Sequence, residues 1–161
     1  MNKCWISQLL INQIIEEIEK WDPLETGGVL MGYIASNNDV VVTELIACGS
    51  NATHRRYSFE PEQEFQLEEI AGIHASTDGK TTYLGDWHSH PKSSPGLSFI
   101  DKRTLTNIAL TKESQCPFPV MMIAGSKPKK WDFNTVRFVS GRKVLWPMTK
   151  CELESLELKI D

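Results

Sequence analysis

Gly85-Asp86-Trp87-His88-Ser89-His90-Pro91, followed beyond Lys92–Leu97 by Ser98-Phe99-Ile100-Asp101, is the most informative run in the 161-residue chain. Thr81-Thr82-Tyr83-Leu84 just before it are β-branched and aromatic, so the run begins as a strand. His88 and His90, two residues apart, then project to one face, and Trp87 to the other as a core residue. Pro91, Pro95 and Gly96 break the strand and let the chain turn back. Ser98 reads as the N-cap of a helix to about Lys112, with Asp101 in its first turn brought back over the two imidazoles. Two histidines and a carboxylate are suitable zinc ligands. Three protein ligands leave a fourth position for water, which marks a catalytic site rather than a structural one. A His-x-His pair alone is weak and is usually a pair of surface strand residues; the aspartate at its offset strengthens it. Asp86 and Ser89 flank the histidines and either orient them or are ordinary strand residues.

Upstream lies Glu25-Thr26-Gly27-Gly28-Val29-Leu30-Met31-Gly32. An acid stands directly before a glycine pair that opens an apolar run. Glu25 either ends the first helix with the glycines as punctuation, or serves the histidine site with the glycines allowing close backbone approach. Ser7 to Lys20 places Leu10, Ile11, Ile14, Ile15 and Ile18 at helical spacing, and Asp22-Pro23 ends that helix. Gly28–Ala35 and Val40–Cys48 read as strands joined by Ser36–Asp39. Residues 49–58 are polar and irregular. Pro61–Ala75 reads as a second helix, with Phe65, Ile70 and Ile73 on its apolar face. Pro119–Ala124, Trp131–Val139 and Lys143–Trp146 read as further strands. For Cys151–Asp161, strand, helix and frayed end all remain open. The alternation is α/β in class, with no repeat, no low-complexity segment and no linker marking a second domain.

Glu25, His88-Ser89-His90-Pro91, Ser98 and Asp101 together resemble the JAMM (MPN-plus, or JAB) family of zinc metalloproteases, over roughly residues 7–145. The resemblance implies a JAMM (cytidine-deaminase-like) fold, a curved mixed β-sheet flanked by helices. It spans residues 1–161 as a single domain, with a core of about 7–145 and a C-terminal tail. It assigns His88, His90 and Asp101 to one Zn²⁺ per chain with a catalytic water, Glu25 to the general base and Ser98 to the oxyanion donor. It implies a substrate with an extended C-terminal tail, either a ubiquitin-like protein or a conjugated nucleotidyltransferase. The chain has no long insertion of the kind ubiquitin-specific members use. With Phe59-Glu60-Pro61 and Gly85–Pro91 it looks most like bacterial stand-alone members, one group of which accompanies an E1–E2-like fusion in CBASS anti-phage operons. Alternatives are a processing protease for ubiquitin-like or sulfur-carrier tails, and a non-catalytic MPN binding scaffold.

A net charge of −4 argues against general nucleic-acid binding, which requires a basic footprint. Arg55-Arg56 and Lys127–Lys130 are the basic clusters, the second read as a solvated hairpin turn. No apolar run has the length of a membrane span, and Met1–Trp5 lacks a signal-peptide pattern. Cys4, Cys48, Cys116 and Cys151 have neither metal nor disulfide spacing, which fits free thiols in a cytoplasmic protein. His54 and His74 lack ligand spacing; His54 reads as a solvated loop residue, and His74, at the end of the second helix, as one that meets the helix dipole.

Overall fold

A computed structural model describes residues 1–128 and 130–161. The chain opens on a strand not foreseen in the sequence, β1 (Lys3–Ile6). In α1 (Gln8–Trp21), Ser7 caps the N-terminus, its hydroxyl accepting from Leu10 N at 3.3 Å. Ile11, Ile14 and Ile18 are its fully buried stripe, as their spacing requires. β2 (Gly27–Ile34) and β3 (Val40–Ile46) form an antiparallel pair. The segment read as irregular contributes to a small hairpin of β4 (Thr53–His54) and β5 (Phe59–Glu60). Then come α2 (Gln63–Ser76), the histidine strand β6 (Thr82–His90) and α3 (Phe99–Leu110), all close to their expected ranges.

β7 (Val120–Lys127), β8 (Lys130–Lys143), β9 (Thr149–Ser155) and β10 (Glu157–Ile160) complete the chain. The strand expected over Lys143–Trp146 is a correction. β8 runs on to Lys143 and the chain then reverses, with Met148 N donating to Leu145 O at 2.8 Å. Leu145 and Trp146 mimic a strand in composition, yet they sit at the exposed tip of that turn before Pro147. In the turn read as solvated, Lys127 pairs with Asp132 at 2.7 Å; Lys129 lies outside the described residues.

Eight strands form one mixed sheet in the order β10-β1-β3-β2-β6-β7-β8-β9. β9 and β10 occupy opposite edges, yet only Leu156 separates them in the chain. The sheet must therefore curl until its edges meet, and Leu156 N donates across the seam to Thr135 O of β8 at 2.9 Å. Leu156 itself is buried there. The segment expected as a tail is thus part of the sheet.

Alternation along the central strands sorts the core into two faces. Leu30, Trp87, Val120 and Met122 pack with the α1 stripe on one face. On the other, Val29 and Met31 meet Phe65, Ile70 and Ile73 of α2, while Met121 and Ile123 meet Leu105 of α3. α2 buries no residue completely, so it is the more lightly held cover. A groove is left between these two helices, on the face opposite Trp87.

Candidate active site

The register between β2 and β6 assembles the site. Gly27 pairs with His88 and Gly28 with Trp87, antiparallel. One step beyond, Ser89 N donates to Thr26 O at 2.9 Å, and Ser89 Oγ accepts from Thr26 N at 3.1 Å. Continuing the register sets Glu25 across from His90, and strand parity puts it on the face of both histidines. Ser89 thus points away from the ligands and clamps the neighbour of Glu25, instead of orienting an imidazole. The glycine pair is required by close approach. A Cβ on Gly27 would collide with the Trp87 carbonyl and the Phe59 ring, and one on Gly28 with the Ile46 carbonyl and Trp87 Nε1.

α3 brings the carboxylate to the two histidines. Ser98 and Asp101 form a capping box: Ser98 Oγ accepts from Asp101 N at 3.1 Å, and Asp101 Oδ2 accepts from Ser98 N at 2.8 Å. This fixes the Asp101 carboxylate over β6. His88 Nε2 lies 3.0 Å from Asp101 Oδ1, His90 Nε2 lies 3.5 Å from Oδ2, and the two Nε2 atoms are 3.1 Å apart. Burial alone would raise the Asp101 carboxyl, but the hydrogen bonds from His88 and His90 outweigh it and hold Asp101 well below the usual carboxylate range. The same hydrogen bond to Asp101 raises His90.

The donor set fits a metal ion. A tetrahedral zinc with bonds of about 2.0–2.2 Å needs ligand–ligand separations of roughly 3.3–3.6 Å; the 3.5 Å separation falls within that span, and those of 3.0 and 3.1 Å lie a few tenths of an ångström below it. When both imidazoles are neutral with the proton on Nδ1, their Nε2 lone pairs and the carboxylate converge on one cation. His88, His90 and Asp101 form a cluster of metal-ligand geometry, and neutral nitrogen with carboxylate oxygen suits zinc.

Glu25, His88, His90, Ser98 and Asp101 line one cleft of about 870 Å³, with Tyr57 at its rim. Burial raises the Glu25 carboxyl above its ordinary range, His88 and His90 pull it down in part, and Asp101 adds to the rise. Asp86 lies deeper on the same face. Burial pushes its carboxyl up to about 6 although the Tyr83 hydroxyl donates to it at 3.0 Å. Ser98 Oγ accepts from Asp101, and among the described residues its own O–H has no acceptor.

His54 is the residue the sequence reading missed. It is half-buried rather than solvated: it stacks on Trp21 with ring centroids 3.6 Å apart and bonds through Nδ1 to Glu25 O at 2.9 Å. Trp21 and His54 are far apart in sequence, so no spacing rule links them; the only cue was an aromatic and basic segment leading into α2.

A curled mixed sheet that presents two histidines and an aspartate with a half-buried glutamate in the same cleft defines a metal-dependent hydrolase. Residues 7–139 match the model of prokaryotic homologs of the JAB domain. The chain belongs to this family of zinc-dependent hydrolases and is a metalloprotease by class. It is 36% identical over 128 residues to the probable metalloprotease y4qB of Sinorhizobium fredii, covering 79% of this chain and 78% of that one. It is 32% identical over 128 residues to a CD-NTase/cGAS isopeptidase of Enterobacter hormaechei, covering 76% of this chain and 67% of the relative. In fold it is similar to the solution structure of protein DSY2949 from Desulfitobacterium hafniense, with TM-score 0.67 and 17% identity, over 98% of this chain and 92% of that one.

Proposed function

We propose that this protein is a zinc isopeptidase. It would cleave the bond between the C-terminus of a conjugated CBASS nucleotidyltransferase, or of a ubiquitin-like protein, and its target, reversing E1–E2-type conjugation in anti-phage defence. The observation that carries the chemistry is the convergence of His88, His90 and Asp101 in the cleft that also holds Glu25. The substrate assignment is supported by the similarity to CD-NTase/cGAS isopeptidases of Enterobacter hormaechei and Escherichia coli.

His88, His90 and Asp101 would hold the ion, and bound zinc would supply a Lewis acid for the scissile carbonyl and a water of lowered pKa. Glu25 accepts a proton from the attacking water and returns it to the leaving lysine amine; its raised pKa suits a group that must both take and give. The Ser98 O–H donates to the oxygen that gains charge as the carbonyl is attacked. The groove between the β4–β5 hairpin and the 91–98 loop admits an extended tail but not a folded domain. That suits a bond at the end of a flexible C-terminus.

A second reading is a protease that processes ubiquitin-like or sulfur-carrier tails; the similarity to the probable metalloprotease y4qB, whose name specifies no substrate, fits either. The two readings part on substrate. A lysine-linked nucleotidyltransferase conjugate and a C-terminally extended ubiquitin-like precursor are each incubated with zinc-loaded protein and analysed by intact mass. Release of both intact partners from the first supports the isopeptidase reading; trimming of only the second replaces it. Glu25→Ala is expected to keep zinc and fold and to abolish cleavage, and turnover near wild type would remove Glu25 from that role.

A further inference from the structure

Both backbone polar groups of Glu25 are held by the β4–β5 hairpin. Glu25 N donates to Arg55 O at 2.8 Å, and His54 Nδ1 meets Glu25 O at 2.9 Å. A carbonyl only accepts, so Nδ1 carries the proton and Nε2 carries the lone pair in the neutral ring. Nε2 faces the Cys48 thiol at 3.8 Å. One ring face lies flat on Trp21, at 3.6 Å and 14° between planes. Trp21 is itself tethered, its Nε1 donating to Glu17 at 2.8 Å. The imidazole is therefore fixed on one face and at both nitrogens, and among the described residues its one bond to a group of the candidate site is to the Glu25 peptide. Arg56 Nη1 extends the clamp by donating to Pro23 O at 2.9 Å. On the other side Thr26 is clamped by Ser89.

We infer that His54 is a positioning residue that aims the Glu25 carboxylate by fixing its peptide plane, with Trp21 and Cys48 as the mount for the ring. Glu25 stands just before β2, one residue beyond the Thr26–Ser89 bonds that end the pairing with β6, so the register sets which face it takes while its own peptide groups bond to the hairpin instead of to the sheet. A hydrogen bond to its carbonyl controls the rotation that swings the side chain toward or away from the cleft. Misplacement of a reacting group by about 1 Å costs on the order of 100-fold in rate, so a rigid clamp here acts on turnover and not on substrate affinity.

The inference rests on Glu25 being the base, and the test separates the two. Turnover of the lysine-linked nucleotidyltransferase conjugate is measured for zinc-loaded wild type, His54→Phe, His54→Asn, Glu25→Gln and the double variant His54→Phe/Glu25→Gln. Metal content and thermal melts are recorded for each. His54→Phe keeps the stack on Trp21 and removes the donor; it is expected to lower kcat by about 10- to 100-fold with KM and zinc content unchanged. His54→Asn puts an amide N–H near the place of Nδ1–H and is expected to restore most of kcat. In the Glu25→Gln background, His54→Phe is expected to cause no further loss, since it acts only through that residue. A His54→Phe kcat near wild type, a loss confined to KM, or an equal loss in the Glu25→Gln background would each overturn the positioning role. Wild-type turnover in Glu25→Gln would instead overturn the assignment of the base.

Discussion

Asp101 serves two elements at once: Oδ2 caps α3 through Ser98 N, while Oδ1 faces His88. Asp101→Ala is therefore expected to lose bound metal and also about 1 kcal/mol of stability from the broken capping box. Metal analysis and urea denaturation check the pair, and full zinc occupancy would take Asp101 out of the ligand set. Ser98→Ala separates the same two functions differently. It loses the cap but keeps the metal, and it is expected to slow the chemical step on the order of 100-fold. A rate within about a factor of two of wild type would move the oxyanion role elsewhere. At this scale the clustering of His88, His90 and Asp101 was legible because it depends on short spacings within one strand and one helix cap. His54 was not, because its partners Trp21 and Glu25 reach it only through the folded hairpin.

At the scale of elements, the pairing of β2 with β6 matters most, because it sets the glutamate against the histidines. Gly27→Ala forces a Cβ into the Trp87 carbonyl and the Phe59 ring. It is expected to cost about 2–3 kcal/mol by overpacking and to lower turnover by displacing the hairpin that holds Glu25. Wild-type stability and turnover in that variant would mean the strands tolerate a looser approach. The long elements were readable: α1 from its isoleucine spacing, β2 and β7 from apolar runs buried on both faces. The sheet edge was not. β1 is four residues long, and its parallel partners β3 and β10 lie far along the chain, so no local pattern announces the pairing. Val144-Leu145-Trp146 failed in the opposite sense, having strand composition but forming an exposed turn.

Across the whole molecule, the curl of the sheet is sealed where β8 and β9 meet the β2–β3 turn. Arg137 is buried there, donating to Glu154 at 2.7 and 3.1 Å and to Asn38 O at 2.9 Å. The Arg137 guanidinium holds the Glu154 carboxyl below its ordinary range, against a smaller opposing effect of burial. Its folded pKa is depressed, so the unfolded chain binds more protons between the two values. The contribution is fully present above about pH 4.3, the ordinary glutamate value, and is lost as pH falls toward the folded pKa. Glu154→Gln is expected to lower stability by about 1–3 kcal/mol near neutrality and to show a shallower loss below about pH 4.3. Urea midpoints against pH check this, and parallel wild-type and variant curves would contradict it. Curling of this kind follows from β9 and β10 sharing a one-residue link, which no reading of separate elements reveals.

Metal-dependent isopeptide hydrolysis is the activity proposed for this cleft. Its most direct test is intact mass spectrometry of a CBASS nucleotidyltransferase joined through its C-terminus to a target lysine, incubated with this protein with and without a strong zinc chelator. The account predicts chelator-sensitive release of both partners at their full masses. An uncleaved conjugate in the presence of zinc-loaded protein, or release indifferent to the chelator, would contradict it.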